Sequence, residues 1–140
     1  MTYASGTEAV SMNLKASTTV AGAGYILTND STNNTVDLSA ATEVGVFISA
    51  DESSRDAAGD LETASATVSA YPLGGVLLVA ATASQTYTTG LTVYVGANGL
   101  ATVTAGSNKK LGLYVGSGVT ASSTNGETLV PVATAGAAIA

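Results

Sequence analysis

The chain lacks cysteine, histidine and tryptophan altogether, and its 140 residues include one phenylalanine, two prolines and four lysines or arginines. Without cysteine there are no disulfides and no thiolate chemistry. Without histidine there is no imidazole metal ligand and no Ser/His or Cys/His catalytic pair. The four basic residues face ten acidic ones, a net charge of −6. Binding to a phosphate backbone needs clustered Lys and Arg, so a nucleic-acid partner is not expected. Charged residues make up 10% of the chain, against roughly 25% in an ordinary soluble domain. The longest apolar run, Leu73 to Ala81, falls short of the ~18 residues of a membrane span, so no membrane partner is expected either. The start, Met1 to Gly6, has no basic segment followed by an apolar one, and no signal peptide is expected.

Ala, Thr, Gly, Ser and Val dominate what is present, and 46% of residues are hydrophobic, enough for one core. Val and Thr are stiff at the first side-chain torsion and favour pleated strands. Apolar residues recur at every second position, as in strands, rather than at the helical spacing. Val44, Val46 and Ile48 fall on one face of a strand, as do Val76, Leu78 and Ala80, and Leu111, Leu113 and Val115. Further strands are expected at Val10–Leu14, Gly24–Leu27, Thr35–Leu38, Ala66–Ala70, Thr92–Val95, Leu100–Thr104 and Thr128–Val132. Asn98-Gly99 accepts positive φ at both turn positions and marks a hairpin. Asn29–Asn34, Ser107–Lys109 and Asn125-Gly126 mark other turns. About ten short strands with such punctuation indicate an all-β fold, a compact β-sandwich or barrel in a single domain spanning 1–140.

An echo runs through the chain. Val44-Gly45-Val46-Phe47-Ile48 and Leu111-Gly112-Leu113-Tyr114-Val115 share the order apolar, Gly, apolar, aromatic, apolar, at a spacing of 67 residues. The same spacing brings Ala16-Ser17 onto Ala83-Ser84 and Gly59-Asp60 onto Gly126-Glu127. An ungapped overlay gives hardly more identities than so biased a composition gives by chance. What repeats is the order of strands and turns. The corresponding organisation is an arm at 1–8, a first strand set at 9–62, a join at 63–75, a second set at 76–132 and an alanine-rich tail at 133–140. Two similar halves and a plain Gly/Thr/Val-rich β domain both fit. In the repeated strand, Val46 and Ile48 oppose Phe47, and Leu113 and Val115 oppose Tyr114. Apolar residues on both faces imply that both are covered, by the rest of the chain or by a neighbouring subunit.

Sites for chemistry are sparse. Asp51, Glu52, Asp56, Asp60 and Glu62 crowd one segment, but their spacing is not that of a calcium loop and Arg55 sits among them. A solvated acidic loop is the simpler reading, and no cofactor or metal is expected. Ser107 and Lys110 stand at a Ser-x-x-Lys spacing, yet in a turn and without companion motifs. Gly22-x-Gly24 and Gly116-x-Gly118 lack the rest of a phosphate-binding pattern. No enzyme and no small-molecule substrate are expected. Tyr3 is an aromatic in a terminal segment. Such a residue either packs on its own domain or anchors an arm on a partner.

The second half reads Thr89-Gly90-Leu91-Thr92-Val93-Tyr94-Val95-Gly96-Ala97-Asn98-Gly99-Leu100-Ala101-Thr102-Val103, then Leu111–Val115 and Gly126-Glu127-Thr128-Leu129-Val130-Pro131-Val132. This succession resembles the capsid decoration, or cement, proteins of tailed bacteriophages, over residues 76–132 and, through the echo, 24–62. The acidic segment 51–62 and the tail lie outside the resemblance. It implies a β-rich structural protein, commonly trimeric, on the outer capsid surface of the virion, bridging neighbouring major capsid proteins. On that reading the partner-contact residues are Met1, Thr2 and Tyr3, in an arm that reaches the capsid, and Phe47 and Tyr114, whose faces pack subunits together. The alternative is a secreted or cell-surface β-sandwich module of the adhesin or surface-layer kind, which the composition fits equally.

Overall fold

The computed structural model describes residues 8–30 and 34–134. Twelve short strands follow one another: β1 Val10–Asn13, β2 Ile26–Asp30, β3 Thr35–Leu38, β4 Phe47–Ser49, β5 Thr67–Pro72, β6 Gly75–Ala80, β7 Thr86–Tyr87, β8 Thr92–Val95, β9 Ala101–Thr102, β10 Lys110–Tyr114, β11 Val119–Thr120 and β12 Leu129–Thr134. The fold is all-β. Its pairings form a five-stranded sheet β1-β5-β4-β2-β3, a second one β6-β12-β10-β8-β9, and a two-stranded sheet β11-β7.

Numbered within its own sheet, each five-stranded set has the order first-fifth-fourth-second-third. Each also curls until its edge strands meet. A parallel bridge Leu14↔Val36 links the end of β1 to β3, and Ala81↔Ala101 links the end of β6 to β9. Local geometry repeats at the spacing seen in the sequence. Ser17 and Ser84 have φ of 68° and 65°, and Gly59 and Gly126 have φ of 90° and 80°. Val20 hydrogen-bonds to Ser53, where the second half has the Tyr87↔Val119 and Thr86↔Thr120 pairs.

Two cores result. Leu14, Val20, Leu27, Val36, Val68 and Ala70 fill the first barrel, with Phe47 packed against them. Val79, Val93, Val95, Leu111, Tyr114, Val130 and Val132 fill the second, and Ile26 and Ile48 of the first sheet join this cluster. These two isoleucines point away from their own barrel and join it to the next. Burying each stabilises the docked halves by roughly 2–3 kcal/mol. Gly45 allows the approach, since a methyl there would lie 2.6 Å from the Ile26 Cγ2. Backbone bonds stitch the same seam: Gly99 N–H donates to the Ser39 carbonyl at 2.8 Å, and Ala80 N–H to that of Gly24 at 2.7 Å.

The repeated strand differs from its simple alternating reading. The β8–β10 register shifts between Lys110 and Gly112. This bulge places Leu111, Gly112 and Tyr114 inside and Leu113 outside. Gly112 is required there, because a methyl would run into the Ala133 carbonyl oxygen of β12. In β6, Val76, Leu78 and Ala80 share one face as expected, and Val76 and Leu78 stand exposed on it. Leu77 and Val79 are buried with Ala80, while Val76 and Leu78 face out. β12 continues to Thr134, two residues past the expected end of the second strand set.

Candidate interaction surface

Once β6, β12 and β10 turn Leu77, Val79, Val130, Val132 and Tyr114 inward, strand alternation sends the intervening residues outward. Those residues are apolar too. Val76 is 57% exposed, Leu78 55%, Leu113 48% and Val115 45%. Register sets them in rows. Val76 pairs with Ala133 and Ala133 with Leu113. Leu78 pairs with Pro131, whose carbonyl accepts the Val115 N–H at 3.1 Å. Leu129 extends the patch at the other end of β12. No charged side chain interrupts these rows. Such a face exposes on the order of 500 Å² of apolar surface, in the range where a patch on a monomer marks an interaction site.

At its β6 border the face runs into a groove of about 390 Å³ on the seam between the halves. Val76 and Leu78 form one wall, and Ala23, Gly24, Ala50 and Tyr71 the other. Tyr71 is the sole titratable residue lining it.

The sequence-derived contact residues are placed as follows. Met1, Thr2 and Tyr3 lie outside the described residues. Phe47 is half-buried and packs on the first core, while Ile48, on the opposite face of the strand, is buried in the second. Both faces of β4 are thus covered by the chain itself. Tyr114 is 2% exposed. Its ring centroid lies 5.6 Å from that of Tyr87, and its hydroxyl donates to the Ser117 carbonyl. Its ring is therefore internal, and the open positions of this strand are its neighbours Leu113 and Val115. Sequence periodicity missed Val76 and Leu78 as surface residues. They sit in an unbroken apolar run, where alternation cannot say which side faces in.

The acidic segment is knit to itself. Arg55 donates from Nε to the Glu52 carboxylate at 2.6 Å, and this hydrogen bond holds the Glu52 carboxyl below its ordinary range. The Asp56 carboxylate accepts the N–H groups of Ala58 and Asp60 at 2.9 and 3.0 Å. Among the described residues no three acidic side chains gather as a metal site would require. Deep in the second barrel, burial pushes the Tyr87 hydroxyl up to about 12. That hydroxyl donates to the Ala101 carbonyl at 3.2 Å. Tyr87 is thus a core residue tying β7 to β9.

No protein-family model matches the chain, and a search of the curated proteins finds no match.

Proposed function

We propose that this protein is a non-enzymatic clamp that decorates the outer surface of a tailed-phage head and cross-braces adjacent major capsid proteins. One observation carries the reading: an uncharged, apolar outer sheet face, Val76, Leu78, Leu113 and Val115, exposed among the described residues. Leaving such a face wet is unfavourable, and covering it drives association. In this account the Leu113/Val115 face packs subunits into a homotrimer, and the arm at 1–8 reaches the shell. Several weak contacts per oligomer then act together, so detachment requires breaking all of them at once. The net charge of −6 suits a surface turned away from packaged nucleic acid.

Sedimentation of the pure protein tests the oligomer: a trimer at micromolar concentration is expected, and a strict monomer contradicts it. Binding to DNA-emptied heads tests the attachment. Deleting residues 1–8 is expected to lower occupancy, and unchanged occupancy removes the arm from the account. Failure to bind any protein shell would leave the rival reading, a cell-surface adhesion module.

A further inference from the structure

The edge of β6 offers more than an apolar wall. Ala80 N–H turns away from β12 and donates to the Gly24 carbonyl at 2.7 Å. In an antiparallel pair the backbone direction alternates residue by residue. Val76 and Leu78, in step with Ala80, therefore aim their N–H and C=O groups away from β12 as well, and among the described residues no strand pairs β6 on that side. These are the groups beside the groove. Gly24 sits where a next strand would begin, against the Ala80 N–H and beside the Leu78 carbonyl, and the Val76 groups and the Leu78 N–H lie beyond it.

Among the described residues the first half leaves the matching edge open too. Lys15 N–H donates to the Val36 carbonyl, as Thr82 N–H does to that of Ala101. Ser11 and Asn13 in β1 thus correspond to Leu78 and Ala80 in β6. Ser11 and Asn13 are polar and exposed, and water satisfies such an edge. The β6 edge has none of the usual guards: it carries no charge, proline or bulge between Val76 and Leu78.

We infer that this groove is a strand-addition site, which takes an extended apolar segment of another protein against the Val76–Leu78 edge. Unpaired N–H and C=O groups in a row recognise an extended backbone, and flanking apolar walls select alternate side chains. A volume of about 390 Å³ holds a few residues of such a segment. It does not admit the edge of a second copy with a barrel behind it, because the first half forms the far wall. The inference goes beyond the capsid reading and does not depend on it.

The test uses the full chain, labelled with ¹⁵N, and a capped seven-residue peptide of alternating valine and threonine with a lysine added at each end. In the free protein the Val76 and Leu78 amides are expected to exchange with solvent about 100-fold faster than those of Leu77 and Val79, which point to β12. Peptide is expected to slow the first two and shift their resonances with that of Tyr71, saturating below about 1 mM. Val76→Lys and Leu78→Lys change exposed side chains and leave the spectrum of the cores intact. Each is expected to weaken peptide binding at least tenfold, with Ser11→Lys as the neutral control. No shifts at millimolar peptide would overturn the inference. So would Val76 and Leu78 amides already protected in the free protein. Protection lost on deleting residues 1–7 or 135–140 would make the occupant the chain's own end, and protection lost on dilution would make it a second copy.

Discussion

The two halves of this chain share a strand order, a closing bridge and a set of turn geometries, yet they treat their outer faces differently. On the first sheet the exposed outer positions are Ser11, Asn13, Thr67 and Ser69, and the apolar ones, Ile26 and Ile48, are buried against the second half. On the second sheet the outer positions of the corresponding strands are Leu78, Leu129, Pro131 and Val115, and among the described residues Leu78, Leu129 and Val115 stand exposed. In the first half, apolarity on the outside follows coverage. The second half departs from that rule, and its exposed apolar face is the observation on which the proposed clamp rests. Ile48 and Val115 occupy the same place in the repeat, and among the described residues Ile48 is buried while Val115 is exposed.

Substitutions at matched positions sharpen this contrast. The largest effect is expected from the paired glycines. Gly112→Ala drives a methyl into the backbone of β12 and is expected to cost about 4 kcal/mol or prevent folding. Gly45→Ala meets side chains rather than backbone, with only the Ile26 Cγ2 methyl closer than ordinary contact, and is expected to cost about half as much, both measured by urea unfolding. Next, Ile48→Ala is expected to cost about 3 kcal/mol through the cavity left at the seam, whereas Val115→Ala is expected to change stability by less than about 0.5 kcal/mol. Equal costs at these two positions would erase the distinction between a covered and an open face.

The barrel interiors differ as well. Val20 in the first half has Tyr87 as its counterpart, with its hydroxyl pushed up to about 12. An acid whose folded value lies above its unfolded value near 10 stabilises the fold below pH 10 and loses that contribution as pH rises from 10 to 12. The expected loss is roughly 2–3 kcal/mol over that window, and Tyr87→Phe should abolish it. A pH-independent stability of the parent chain above pH 10 would rule this out. A smaller effect, of the opposite sign, is expected at the seam. The Ser39 hydroxyl is buried without a hydrogen-bond partner, so Ser39→Ala should leave stability unchanged or raise it by up to about 1 kcal/mol. A loss above that would reveal a partner for this group.

Much of the fold is legible in the sequence where local chemistry decides it. Thr35–Leu38 and Thr92–Val95 form strands with the expected bounds. Asn98 and Gly99 both take positive φ, 56° and 73°, between β8 and β9. The repeat is readable as an order of strands and turns, because topology constrains where a turn falls more than which small residue fills a strand. Three features depend on tertiary context instead. The run Gly75–Ala80 has no alternation to show that Leu77, rather than Leu78, faces in. The bulge at Lys110/Gly112 splits Leu111 from Leu113 with no local signal. The strands β7 and β11 are two residues each, too short for any period. The candidate surface was hidden for the first two of these reasons, and Tyr114 drew attention as the aromatic of a strand whose open side belongs to Leu113 and Val115.

Occupancy of DNA-emptied phage heads by two charge-matched variants tests the central claim most directly. Leu113→Lys with Val115→Lys places two cations on the open face of the second half, and Thr67→Lys with Ser69→Lys places two on the polar face of the first. At least a tenfold loss of occupancy is expected for the former and none for the latter. Equal occupancy for the two would contradict the assignment of the second sheet's outer face as the surface through which this protein holds its neighbours.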